Sequence, residues 1–290
     1  MPIATFIQRL DLQTEIDVFC QLAKGFDFPH APQANSLFFH LMLQGKCQLH
    51  NAQGQSYPLK TGDFCLWLGN EAHRLSSQGK APSIHEHFHH LRHRQSGQEI
   101  AILCGRFLAN NPAAATLLNL FPKPLIVSLA KQPNLHALAQ LIYQEASQPQ
   151  AGSQKVISDL SQLLLLFALR QPPTQSLHPY LPLFGDKHLA PALYALLANP
   201  RKHYTIDELA NLAHCSRQAF NRRFHQLSGM NLQTFYLHLR LSLASQLLKA
   251  QQLSVAATAE AIGYQSLSTF NSIFKKYMGC SPAVYKRGNE

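Results

Sequence analysis

Two regions of this sequence place chemically capable side chains at telling intervals. Near the C-terminus, Ser216-x-x-x-Phe220-Asn221-x-x-Phe224-x-x-x-x-Gly229 recurs fifty residues later as Ser266-x-x-x-Phe270-Asn271-x-x-Phe274-x-x-x-x-Gly279. Around the shared positions the first copy carries Arg217, Gln218 and Arg222. With Asn221 these are the side chains that read DNA in the major groove, arginine pairing with guanine and asparagine or glutamine with adenine. The second copy offers Leu267, Ser268, Thr269, Asn271 and Ser272, shorter donors beside an apolar contact for a thymine methyl. In the N-terminal half, His85, His87 and His89 stand two residues apart within a histidine-rich run that reaches His93. On a strand they share one face, where they would hold a divalent metal or respond to pH; in an exposed loop they do neither.

These residues need elements to present them. Each C-terminal copy reads as helix–turn–helix. Thr205-x-x-Glu208 is a capping box, His214-Cys215 a turn, Ser216 the N-cap of the second helix and Gly229 its stop. In the second copy Val255 to Ile262 is the first helix, Gly263 marks the turn, Ser266 caps and Gly279 stops. Ser281-Pro282 begins a short last helix. A repeat of this size is one supersecondary unit used twice. Between the copies, Leu232 to Lys249 reads as a single helix, which at 1.5 Å per residue is roughly 27 Å long. Such a strut would hold two recognition helices about one duplex turn, roughly 34 Å, apart.

Upstream, apolar residues at Leu12, Ile16, Phe19 and Ala23 predict a helix over Gln8 to Leu22. Short β segments follow at Ser36–Leu43, Cys47–His50, Tyr57–Leu59 and Phe64–Leu68, with Ile100–Cys104 as a returning strand, a pattern of sandwich or barrel. Residues 113–170 turn helical, over Leu135–Glu145 and Ser153–Arg170. The apolar stripe through Leu160, Leu163, Leu164 and Phe167 either forms a dimer surface or packs on the β-domain. Pro172, Pro173, Pro179 and Pro182 then interrupt helix formation and mark a linker.

The 290 residues, 46% hydrophobic and 14% charged, suit two globular domains and exclude a disordered chain or a coiled coil. The longest apolar run, Leu163 to Leu169, falls far short of the roughly 20 residues of a membrane span. Asp11, Glu15 and Asp17 stand where a secretory signal would be apolar, so a cytoplasmic protein is expected. Of the net charge of +10, residues 190–290 carry +7, from 11 basic and 4 acidic side chains, which suits a polyanionic partner. The six cysteines are dispersed, without zinc-finger spacing, as in reduced cytosolic chains.

Residues 187–287 resemble the AraC/XylS family of bacterial transcription regulators. The resemblance rests on Glu208-Leu-Ala210, Ser216 to Phe224, Gly229, Arg240-Leu241 with Ala244 and Leu247-Leu248, Ala261-Ile-Gly-Tyr264, Phe270, Phe274-Lys275, Gly279, Ser281-Pro282 and Tyr285. It implies a double helix–turn–helix domain bound to promoter DNA, with RNA polymerase as a partner. Many family members have arginine where Ser272 stands, so the second helix here is the poorer reader. Residues 5–172 resemble the cupin-like sensor domains fused to that family, through Phe39-His40, Leu43-x-Gly45, Leu59-x-x-Gly62-Asp63, His73 and Cys104-Gly105. That resemblance implies a β-barrel whose interior takes a small effector, lined by Phe39, His40, Trp67 and His73. Cys20 and Cys104 occupy positions similar to those of reactive-chlorine-sensing members, which makes redox sensing the alternative. Metal-dependent cupin enzymes use His-x-His with a glutamate and a later histidine. Here Leu41 and Met42 follow His40, so a metal-dependent enzyme is the remote alternative and no cofactor is expected.

The expected architecture is α+β. A cupin-like sensor and dimerisation domain spans 1–172, a linker 173–186, and an all-α DNA-binding domain 187–290. The expected function is a non-enzymatic transcription regulator, an activator that acts as a homodimer.

Overall fold

The computed structural model describes residues 2–22, 25–77, 93–94, 99–121, 124–129, 133–169, 182–250 and 253–288. The chain opens with α1 (Pro2–Leu10) and turns through Asp11, at φ 48°, into β1 (Leu12–Leu22). A helix over Gln8–Leu22 is therefore not formed. Leu12, Thr14, Ile16, Val18, Cys20 and Leu22 also alternate with polar or aromatic residues, and the β-branched members favour the strand.

The strands that follow are β2 (Asp27–His30), β3 (Ser36–Gln44), β4 (Lys46–Asn51), β5 (Ser56–Lys60), β6 (Asp63–Leu68), β7 (His73–Ser76), β8 (His93–Arg94) and β9 (Ile100–Ala109). Next come α2 (Pro112–Leu117), a 3-10 turn at Leu118–Leu120 and β10 (Leu125–Ser128). The sequence pattern missed β10, a four-residue strand too short to show its period. Six strands form one sheet in the order β10-β6-β3-β9-β1-β8, and four form another in the order β2-β7-β4-β5. One buried core takes side chains from both sheets, including Val18, Phe38, Met42 and Trp67 from the first and Phe28, Leu49, Leu59 and Leu75 from the second. β3 lies between β6 and β9 and is buried from Ser36 to Met42, which explains its run of apolar residues around His40. Phe38, His40 and Met42 share the face turned into that core, while Phe39 packs against Phe64 and Phe107 on the other.

Two helices, α3 (Pro133–Ser147) and α4 (Ser153–Leu169), complete this unit. The predicted apolar stripe divides between them and solvent. Leu164 is buried, Leu160 and Phe167 are half-buried, and Leu163 is exposed.

The remaining helices are α5 (Pro182–Gly185), α6 (Ala190–Ala198), α7 (Ile206–Leu212), α8 (Arg217–Ser228), α9 (Leu232–Lys249), α10 (Val255–Ala261), α11 (Leu267–Met278) and α12 (Pro282–Arg287). Residues 173–181 of the expected linker lie outside the described residues. Pro182 starts α5, proline being well placed in a first helical turn. The Arg223 guanidinium on α8 donates to the Asp186 carboxylate just beyond α5, so the end of the expected linker is tied to the first recognition helix.

Packing divides the chain differently from the boundaries expected at 172 and 187. One compact unit is 13–108 with 121–177; the other joins 1–12 and 109–120 to 178–290. Helices α1 and α2 therefore belong with the C-terminal helices. The reason is α9, which is buried at every position from His238 to Ser245, all round the helix, so that no single neighbour can cover it. Ala113 of α2 enters the same core as Leu241, Leu248, Phe270 and Phe274. Polar groups fix the join. Asn111 caps α2 by accepting from the Ala114 amide at 2.8 Å, and its amide donates to the Ser245 hydroxyl at 3.0 Å. Ser242 and Gln246 donate to carbonyls at the C-terminal end of α1, which have no partner within that helix.

Asn111→Ala removes the cap and a buried donor together, so it should destabilise the C-terminal unit by about 1–3 kcal/mol. Urea unfolding followed by helical circular dichroism measures this. A loss below about 0.5 kcal/mol, the level of an ordinary surface substitution, would mean that residues 109–120 do not stabilise this unit.

Candidate functional site

Each recognition helix is positioned by local chemistry. Thr205 and Glu208 close a capping box around the start of α7. Ser216 caps α8 by accepting from Ala219 N at 3.2 Å, and Ser266 caps α11 by accepting from Thr269 N at the same distance. Gly229 and Gly279 end the two helices at φ 69° and 84°, in the left-handed region that glycine adopts without strain. Phe220 and Phe224, like Phe270 and Phe274, are almost fully buried. With one face of each helix so anchored, the other is left to solvent. On α8 it exposes Arg217, Gln218, Asn221 and Arg222; on α11 it exposes Leu267, Ser268, Thr269, Asn271 and Ser272. Arg217 lies 3.8 Å from Asp207, a loose pair, and Arg222 has no ion pair among the described residues.

The fifty-residue repeat fails by one residue at the turn. His214 bonds back to Asn211 and Cys215 to Ala210, whereas Gly263 bonds to Glu260 and Tyr264 to Ala259, an offset of 49. The second turn therefore has one extra residue before Ser266. His214 takes φ 51°, and Gly263 takes φ 84° where any side chain would strike the Arg201 carbonyl oxygen. Arg240 of α9 holds this turn by donating to the Ile262 carbonyl, with its guanidinium 4.5 Å from the Tyr264 ring centre and 5.3 Å from that of Tyr236.

The β-unit holds a second constellation. His40 and Cys104 are direct partners on β3 and β9; His30 and His73 are direct partners on β2 and β7. The two cross-strand pairs, one from each sheet, meet within the core. His40 Nδ1 lies 3.2 Å from Cys104 Sγ, and its Nε2 lies 2.8 Å from His73 Nε2. The His30 ring stacks on His73 with centres 4.6 Å apart and planes 5° apart. Trp67 lies 5.2 Å from His73, ring centre to ring centre. Burial pulls the His30 imidazole down to about 4 and His73 to about 2. Burial, then the neighbouring His30 and His73, hold His40 well below its ordinary value. All three rings are therefore neutral at pH 7.

Of the sensor residues expected from sequence, His40, Trp67, His73 and Cys104 converge here. Phe39, one residue along β3, lies on the opposite sheet face and takes no part. Cys20 is buried in the same core. Burial raises its thiol to about 12 and raises Cys104 well above the ordinary range, so neither thiol ionises readily and the thiol-based redox alternative gains no support. His85, His87 and His89 lie outside the described residues. His30 escaped sequence reasoning; only its place in the short extended segment Asp27-Phe-Pro-His30 could have paired it with His73.

Residues 4–172 match a family model described as Cupin, and residues 209–288 match one described as a helix-turn-helix domain. The chain is 34% identical over 283 residues to an uncharacterized HTH-type transcriptional regulator of Haemophilus influenzae, covering 94% of both chains. It is 27% identical over 281 residues to the RCS-specific HTH-type transcriptional activator RclR of Escherichia coli, covering 94% of this chain and 93% of that one. It is 26% identical over 292 residues to the HTH-type transcriptional regulator MtrA of Neisseria gonorrhoeae, covering 97% and 96%.

The neutral histidines predict a pH dependence. Below pH 6.5 the unfolded chain takes up protons that the folded core refuses, so the stability these rings contribute is complete above 6.5 and is lost as pH falls towards 4. The loss is about 1.4 kcal/mol per pH unit for each ring that stays neutral. Asp17, raised to about 6 by burial, acts oppositely between about 4 and 6, but it is one carboxyl against three imidazoles. Trp67, the single tryptophan, reports on this unit. Its fluorescence should show the urea midpoint falling between pH 7 and pH 5; a flat profile would mean that these rings carry protons in the folded state.

Proposed function

The chain belongs to the AraC-type helix-turn-helix transcriptional regulators that carry an N-terminal cupin domain, and from that premise we propose that α8 and α11 read adjacent major-groove segments of one promoter. The observation that carries this reading is the exposed face of α8, where Arg217, Gln218, Asn221 and Arg222 stand clear of the core at the start of a capped helix. Recognition helices present their first turns to base edges, and these four side chains suit guanine and adenine. The face of α11 is shorter and less basic, so it contributes less to specificity and more to register. The helix between them, 18 residues long, would set the spacing of the two reading heads.

The relative from Escherichia coli is named as an activator, which supports activation with RNA polymerase as the downstream partner. A cytoplasmic location follows from a promoter target. The sensor interior at His40, Trp67 and His73 is the place for a signal. The homodimer is assigned to the α3–α4 face, where Leu141, Val156 and Leu163 are exposed large apolar side chains. A regulatory rather than catalytic role accords with the relatives, which are named as transcriptional regulators.

Selection of bound DNA on the full chain, followed by footprinting at two salt concentrations, tests the reading. Two protected major-groove segments on one duplex face, weakening with salt, are expected. Arg222→Ala should cost about 1–3 kcal/mol on the selected site and relax the preference at one base pair. An equal loss on every sequence would make Arg222 a phosphate contact, and binding without any sequence preference would overturn the double-reader assignment. Separately, Leu163→Glu should shift the sedimentation of a dimer to that of a monomer; an unchanged dimer would place the interface elsewhere.

A further inference from the structure

The cluster in the β-sandwich is unusual for an apolar core, because it combines three imidazoles and a thiol with no carboxylate among them. One ligating atom from each of His30, His40 and Cys104 lies within 4.8 Å of the others, a separation suited to donors around one ion. His30 Nε2 is buried and has no hydrogen-bond partner. A polar atom left unmatched in a core costs free energy that a ligand would recover. The donors come from both sheets, His30 from β2 of the four-stranded sheet and His40 and Cys104 from β3 and β9 of the six-stranded one. An ion held by all three would therefore clamp the sandwich across its core.

We infer that His30, His40 and Cys104 form a site for a soft monovalent d10 cation, copper(I), with His73 as the positioning residue behind His40. The choice of ion follows from ligand softness and charge. A thiolate and neutral imidazoles suit copper(I) or zinc, whereas magnesium, calcium and manganese prefer oxygen donors. On binding, the Cys104 thiol loses its proton to solvent and one copper(I) ion takes that charge, so the buried site stays neutral. A zinc ion bound in the same exchange would leave one uncompensated positive charge in the core, a costly state. The carboxylate whose field reaches Cys104, Asp17, is already paired with Arg106 at 3.0 Å. Copper(I) binding at these residues requires no DNA recognition, and it is tested without DNA.

The test titrates the purified full chain with copper(I), anaerobically and under reductant, against a colorimetric copper(I) chelator. One equivalent per chain should bind, and X-ray absorption should show one sulfur and at least two nitrogen neighbours. Cys104→Ser and His40→Gln should abolish this binding. His73→Gln should weaken it by about 10–100-fold, the usual effect of losing a residue that orients a ligand. The double variant Cys215→Ser/Cys280→Ser, which removes the two partly exposed thiols, should bind as wild type does. Should the core variants fail to fold by circular dichroism, His30→Gln supplies the decisive measurement, since β2 is an edge strand and His30 is only partly buried. Failure of the wild type to bind overturns the site. So does binding that persists without Cys104 or His30 but vanishes in the double variant. Displacement of copper(I) by equimolar zinc overturns the choice of ion.

Discussion

The C-terminal unit depends on one constraint, that α9 must be covered on nearly every side. Its sequence, Leu232-Gln-Thr-Phe-Tyr-Leu-His-Leu-Arg-Leu-Ser-Leu-Ala-Ser-Gln-Leu-Leu-Lys249, has no continuous polar face. The two helix–turn–helix units cover part of it, and α1 and α2 cover more. Polar side chains within this helix act as fasteners rather than solvent-facing groups. Arg240 grips the turn before α11, Ser242 and Gln246 satisfy the end of α1, and Ser245 accepts from Asn111 at the start of α2. The α7–α8 and α10–α11 pairs therefore hang from one rigid element, as a two-headed reader requires.

The coverings α1 and α2 come from outside the C-terminal third of the sequence, and each leads directly into or out of a strand. Asp11 alone separates α1 from β1, and two residues, Asn110 and Asn111, separate β9 from α2. Cys104 lies on β9, seven residues before the asparagine that caps α2 and donates to Ser245.

What could be read from sequence was what local chemistry decides. The caps at Thr205, Ser216 and Ser266 and the stops at Gly229 and Gly279 are set within a few residues, and the structure has all of them. The exposed faces of α8 and α11 follow, because the buried phenylalanines fix which side turns outward. Elements decided by tertiary context were harder. Leu12 to Leu22 satisfies helical and strand periods at once, and sheet pairing chooses between them. The membership of α1 and α2 in the C-terminal unit depends on how much of α9 needs covering, which their own residues do not reveal. His30 is silent for the same reason: its chemistry comes from the register of β2 on β7.

That register, with the pairing of His40 and Cys104 across β3 and β9, offsets part of the cost of histidines in the core, although His30 Nε2 stays without a hydrogen-bond partner. A lone imidazole there would leave ring nitrogens unmatched, at a cost of about 1–3 kcal/mol for an unsatisfied group. Placing His40 beside Cys104 and against His73 gives each of its nitrogens a partner, while His73 also stacks on His30 and packs against Trp67. Neutrality is the condition for this arrangement. Two imidazole nitrogens 2.8 Å apart share one proton between them, and a second would set donor against donor in a medium that screens poorly. Any charge entering the cluster must therefore displace a proton from it or separate the sheets. In this cluster polar side chains of both sheets meet within one core.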